Sequence, residues 1–264
     1  MKRDIVLFLF MILIVPLLYA DDGRQKTGLN NWEITENFVY SRGKYGGNTL
    51  IQTVELDTAF TGFFEKGDLS LTIPLVSQTS DSQVTLVRGS AQRVTRIRPG
   101  KVTKGGIGDI YMSGSYYLLT ENSGPMDISL NGYLKFPTAS SSKGLGTGET
   151  DAGPGISFGK RISPEWRMFT DFYYILIGSP SDLDLRDQTS FDLGTSYDFS
   201  PLVTGSITYE ESRSVIKGKE NPEGLAFGMK YKVNDTTRLF GGMAFGLSNT
   251  AADFSMNIGA GIKF

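Results

Sequence analysis

The closing stretch FSMNIGAGIKF alternates without a fault. Phe254, Met256, Ile258, Ala260, Ile262 and Phe264 are apolar, and Ser255, Asn257, Gly259, Gly261 and Lys263 lie between them. A period of two sorts these sets onto opposite faces of a β-strand. The pattern recurs upstream. Ile128, Leu130, Leu134 and Phe136 oppose Asp127, Ser129, Asn131 and Lys135, and Phe191, Leu193, Tyr197 and Phe199 oppose Asp192, Gly194, Ser196 and Asp198. Leu225, Phe227, Met229, Tyr231 and Val233 oppose Ala226, Gly228, Lys230 and Lys232, and Leu69, Leu71, Ile73 and Leu75 oppose Asp68, Ser70 and Thr72.

About twelve such segments can be placed, each on the order of ten residues, the length a tilted strand needs to cross a bilayer. The predicted spans are 32–41, 49–60, 67–77, 106–120, 126–137, 150–161, 166–178, 188–199, 202–212, 223–233, 237–247 and 252–264. In the first of them Glu36 interrupts the apolar face. Connections at 163–165, 200–201 and 234–236 are tight and 121–125 is slightly longer, whereas 78–105, 138–149, 179–187 and 213–222 are mostly long and polar. Short periplasmic turns alternating with longer extracellular loops are the mark of an outer-membrane barrel.

A soluble barrel also alternates, with its faces turned the other way. Three features favour the membrane form. Phe60, Phe63, Trp166, Phe199, Tyr209 and Phe240 gather near strand ends, as an interfacial girdle requires. The polar face is small and glycine-rich, and the chain stops on the aromatic Phe264, the kind of terminus by which barrel precursors are recognised for insertion. Hydrocarbon cannot satisfy backbone N–H and C=O groups, so the strands must pair all the way round. The expected fold is therefore all-β, a transmembrane antiparallel up-and-down barrel.

Lys2 and Arg3 precede an apolar run from Ile5 to Leu18 that ends at Ala20, which reads as a signal peptide over 1–20. Residues 21–31 are expected to be a periplasmic segment and 32–264 the barrel, in the outer membrane of a Gram-negative bacterium. With no cysteine there is neither a disulfide framework nor a lipid-modified cysteine. Removing 1–20 takes Lys+Arg from 26 to 24 and Asp+Glu from 28 to 27, a balance too slight to expect nucleic acid as partner.

GLGTGETDAGPG, from Gly144, invites comparison with a phosphate-cradling loop. Such a loop needs a following helix and a lysine, and here strand alternation resumes with no lysine after the glycines. Gly144, Gly146 and Gly148 instead suit a tight reversal. The longer stretch LKFPTASSSKGLGTGETDAGPGISFGKR resembles the hallmark of the outer-membrane proteins named for the MetA pathway of phenol degradation. Lys135, Pro137, Thr138, Gly144, Gly146, Thr147, Gly148 and Asp151 match it, and GIGDIYMSGSYYLL from Gly106 is similar to the family's preceding strand. The likeness covers 105–264. It implies a channel for hydrophobic or aromatic compounds.

The chain has no histidine, so a Ser–His–Asp arrangement is impossible and an enzyme is not expected. Zinc and iron sites are disfavoured, a calcium site at Asp182, Asp184 and Asp187 has little support, and no cofactor is expected. Strand phase nominates Glu55, Asp57, Asp109, Asp127, Lys135, Asp151, Asp171, Asp192, Lys230 and Lys232 as lumen-lining. Asp68, Asp198, Glu210, Arg161 and Lys263 share that face. Between 78 and 105, Arg88, Arg93, Arg96, Arg98, Lys101 and Lys104 stand against Asp81 alone, and QVTLV and RVTRI within this stretch read as a hairpin at the mouth. Expected partners are outer-membrane lipid, lipopolysaccharide, the barrel assembly machinery and a small solute. Two functions stay open, a passive channel and a plugged barrel with a structural or surface role.

Overall fold

The structure, a computed structural model, describes residues 31–82, 97–181 and 183–264. Thirteen strands follow in order: β1 (Trp32–Gly43), β2 (Ile51–Phe64), β3 (Gly67–Ser82), β4 (Ile97–Ile107), β5 (Tyr111–Leu119), β6 (Asp127–Lys135), β7 (Asp151–Arg161), β8 (Trp166–Ile175), β9 (Gln188–Ser200), β10 (Val203–Ser212), β11 (Glu223–Lys232), β12 (Thr237–Gly246) and β13 (Phe254–Lys263). Neighbours pair antiparallel, and β1 closes on β13 from Glu33↔Lys263 to Arg42↔Phe254. The sheet thereby closes on itself into a barrel.

Thirteen segments make a twelve-stranded wall because β4 and β5 are two halves of one strand. β3 pairs with β5 through Gly67–Thr72 and with β4 through Leu75–Ser82. The chain leaves the ladder at 108–110, opposite Pro74, where Gly108 N donates to the Pro74 carbonyl at 2.8 Å. Proline has no N–H to offer a ladder, so the break falls where one partner is already missing. The alternation predicts a single strand at 106–120 and a loop at 78–105. In the structure β3 runs on to Ser82, β4 starts at Ile97, and Ser82 still pairs with Ile97.

The molecule is apolar outside and polar inside. Ile258 is 64% exposed, Leu130 46% and Leu56 40%, while Glu55, Asp171 and Thr61 are at 2%, 1% and 0%. A water-soluble barrel would reverse these values, so the outer surface is the membrane-spanning one. Turns at 65–66, 120–126, 162–165, 201–202 and 233–236 mark one end. The other carries the connections 44–50, 136–150, 176–187, 213–222 and 247–253.

Of the aromatics expected in a girdle, Phe60, Trp166 and Phe199 do face outward. Phe240 does not. It is buried inside, with the Arg238 guanidinium 5.6 Å from its ring centre. Phe63 is half-buried, with Lys263 Nζ 5.5 Å from its ring. Proximity to a strand end does not fix which face a residue takes; parity along the strand does.

Candidate functional site

The long loops turn inward. Tyr45, Ile51, Ile175, Ile177, Val215 and Ala252 form a buried apolar cluster at the mouth, backed by Tyr133, Tyr173, Leu185 and Ile216. Main-chain bonds tie the loops together: Gly46 N to Asn249 O at 2.6 Å, Arg186 N to Val215 O at 2.9 Å, and a bridge between Leu185 and Ile216. Lys219 Nζ reaches Gly46 O at 2.8 Å. Tyr45 holds φ at +49°, an uncommon conformation for an aromatic residue and one that packing must maintain. Its buried hydroxyl donates to Ser41 Oγ at 3.3 Å, and burial pushes its pKa up. At the rim, Asp187 accepts from Tyr174 Oη at 2.8 Å and Ile177 N at 3.1 Å, which hold its carboxyl below the usual range.

The glycine loop is a latch. Leu145 is buried with Val76 and Ala139. At Gly146 any Cβ would lie 2.7 Å from both Ala139 Cβ and Asp109 Oδ1, so only glycine permits the approach. Gly144 and Gly148 take φ of 75° and 78°. Beneath them Lys135 Nζ pairs with Asp151 Oδ2 at 2.8 Å and Asp109 Oδ2 at 3.5 Å, and donates to Thr147 Oγ1 at 3.3 Å. Asp109 Oδ1 accepts from Ala139 N at 2.9 Å, and Asp151 Oδ1 from Gly178 N at 3.0 Å. Thr138 stitches the wall. Its Oγ1 accepts from Ile110 N at 2.8 Å and donates to Gly108 O at 3.1 Å, spanning the gap between β4 and β5. The motif residues Lys135, Thr138, Gly146, Thr147 and Asp151 thus serve one structure, a loop folded into the barrel over a broken strand.

Farther in, the carboxylates Asp171, Asp192 and Glu210 lie side by side on β8, β9 and β10, as the pairings Asp171↔Asp192 and Glu210↔Asp192 show. Glu55 and Asp57 are buried on β2. The ion pairs sit toward the ends of the barrel. Arg238 bridges to Glu33, Arg167 Nη2 to Asp127 Oδ2 at 2.7 Å, Arg161 Nη1 to Asp198 Oδ2 at 3.2 Å, and Lys232 Nζ to Asp235 Oδ1 at 3.1 Å.

The nominated lumen residues therefore divide. Asp109, Lys135 and Asp151 come together in the latch, and Asp127 joins Arg167 at the short-turn end. Glu55, Asp57, Asp171 and Asp192 are buried in the interior, and Lys230 and Lys232 are half-buried near the end of β11. Arg88, Arg93 and Arg96 lie outside the described residues, and Arg98 falls in β4. Asp182 is likewise outside them, Asp184 pairs with Lys217 at 2.7 Å, and no metal-capable cluster occurs among the described residues. Sequence reading missed Arg238 and Arg167, although both sit on the inward parity of their strands, and it missed the mouth cluster.

Known proteins place this architecture. The COG4313 outer membrane channel from Pseudomonas putida F1 superposes with a TM-score of 0.68 over 92% of this chain and 99% of its own, at 11% identity. The KdgM porin gives 0.55 over 88% and 99% at 9% identity, and the NanC porin 0.52 over 88% and 100% at 11%. At such identities the likeness establishes the fold alone, a closed twelve-stranded antiparallel barrel. No curated protein sequence matches. The family model described as "Putative MetA-pathway of phenol degradation" matches residues 25–264, nearly the whole chain, and the protein belongs to that family.

Proposed function

We propose that the protein is a passive outer-membrane channel for small hydrophobic or aromatic molecules. The observation that carries this reading is the apolar cluster of Tyr45, Ile51, Ile175, Ile177, Val215 and Ala252, placed where a solute enters from the long-loop side. A water-filled pore gains nothing from a greasy mouth, whereas a site for an apolar solute consists of such side chains with a few polar groups behind them. In this reading the chain lies in the outer membrane of a Gram-negative bacterium, with short turns toward the periplasm and long loops toward lipopolysaccharide. Residues 1–20 are the export signal, 21–31 a periplasmic lead-in, and Phe264 the mark recognised by the assembly machinery. Glu55, Asp57, Asp171 and Asp192 face the passing solute, and Arg88, Arg93 and Arg96 belong to a loop at the mouth that leads into Arg98 at the start of β4.

The test is uptake of a labelled neutral aromatic compound by cells with and without the gene, at concentrations where diffusion through lipid is slow. Equal uptake would reject the reading. A second reading, a plugged barrel with a structural role, draws on the four tied loops at the mouth and the Arg238–Glu33 and Arg167–Asp127 pairs near the opposite end. Purified protein in planar bilayers separates the two, because a sealed barrel passes no current.

A further inference from the structure

Charge inside the barrel is sorted along its axis. The inward basic residues with a resolved ion pair stand at strand ends: Lys135 closes β6, while Arg167 and Arg238 are second in β8 and β12. Each is tied to one or more carboxylates there. The acids between have no such partner. Asp57 and Asp171 fall near the middle of β2 and β8, and Glu55, Asp192 and Glu210 lie toward the long-loop side.

Among the described residues none of these five has an ion-pair partner. Glu55 Oε2, Asp57 Oδ1, Asp171 Oδ2, Asp192 Oδ2 and both oxygens of Glu210 accept no hydrogen bond. A neutral group repeats the pattern. Gln78 is 1% exposed, faces inward diagonally across from Glu55, and has neither amide atom bonded. Buried polar groups in a finished core are satisfied, so a set left open across β2, β3, β8, β9 and β10 marks a surface made to meet something else. The ring order sets β2 and β9 six positions apart among twelve, on opposite walls.

From this arrangement we infer that the interior is a cation-selective segment, which admits small cations and rejects anions of the same size. Unpaired carboxylates on facing walls, in a cavity with low-dielectric sides, concentrate cations and exclude anions from the same space. The inference rests on the channel reading and narrows it: an aromatic carboxylate is refused while a neutral or protonated-amine counterpart passes. Arg161, Arg167 and Arg238 at the short-turn end do not cancel the effect, because their carboxylate partners already neutralise them.

The test is the reversal potential of the purified full chain in planar bilayers between unequal KCl solutions. The wild type is expected to pass K+ over Cl− by about tenfold. The combined variant D171N/D192N/E210Q should conduct with that ratio reduced toward unity. If the combined variant does not insert, E210Q and E55Q tested singly should each lower the ratio by a smaller step. A wild-type ratio at or below unity overturns the inference while leaving the channel reading intact, and so does full selectivity in the neutralised variants. A wild type that carries no current at all removes the channel reading itself, and this inference with it.

Discussion

Glu36 and Thr58 face each other across β1 and β2 on the outer surface, where the threonine hydroxyl donates to Glu36 Oε1 at 2.9 Å and Oε2 at 3.1 Å. Their neighbours on that face include Ile34, Phe38, Leu56 and Phe60. A carboxylate in this position opposes the lipid tails, and the Thr58 hydroxyl recovers only part of the lost hydration.

Replacing Glu36 with Leu should therefore stabilise the barrel by up to about 2 kcal/mol, since acidic groups on the lipid face cost less than basic ones. Urea unfolding in lipid vesicles measures it. Unchanged or lowered stability would mean that this surface meets something other than hydrocarbon.

The opposite change tests which way the barrel is turned. Leu56, partway along β2 and exposed, should cost about 2–4 kcal/mol as Leu56→Arg if it faces the bilayer midplane. Thr72→Val, on the buried face, removes a hydroxyl from the interior and should leave insertion intact. If Leu56→Arg is silent, the outer face is not the lipid face.

The latch should fail from its centre. Lys135→Met leaves Asp109 and Asp151 buried without their cation, a loss of about 3–5 kcal/mol. The temperature at which the folded band unfolds on a denaturing gel gives the readout. Thr138→Val removes both stitches across 108–110 and should speed amide exchange at Ile110 more than at Met112, which sits inside the ladder.

At the mouth, Ile51→Ala opens space in a packed cluster, with a cost of about 2–5 kcal/mol spread over the loops. Uptake of the neutral aromatic probe should rise. If uptake is unchanged while stability falls, the cluster holds the loops together and does not gate.

The strands that cross lipid were legible because lipid enforces the rule that reveals them. From β6 to β13 one parity is mostly apolar, and the periodicity of Leu225–Val233 or Phe254–Phe264 leaves little choice. The upper part of the β3–β4 hairpin was not legible. There half-buried Thr79 and exposed Thr103 bring their hydroxyls within 2.7 Å, and Lys101 is exposed beside them. Nothing greasy is demanded of a strand that has left the bilayer, so it reads as loop. The break at 108–110 was hidden for another reason. Ile107 faces outward and Tyr111 inward, so parity flips across 108–110, but both residues are apolar and continue the alternation on paper; Pro74, distant in sequence, sits opposite the gap.

The interior was readable in part. Parity alone placed Glu55, Asp57, Asp171 and Asp192 inward. The mouth cluster gathers Tyr45, Ile177, Val215 and Ala252 from four separate loops, and no local pattern in any of them shows that they meet. The Arg238–Glu33 pair spans nearly the whole sequence and becomes visible only when β1 closes on β13.

Because the hydroxyl of Thr138 bonds to both sides of the gap in the wall, the connection that carries it is no free appendage. An epitope or fluorescent tag grafted between Phe136 and Asp151 would reach into the seam of the barrel itself. The wall at 108–110 is therefore bridged by a side chain from a loop, and it is only as firm as that loop's docking.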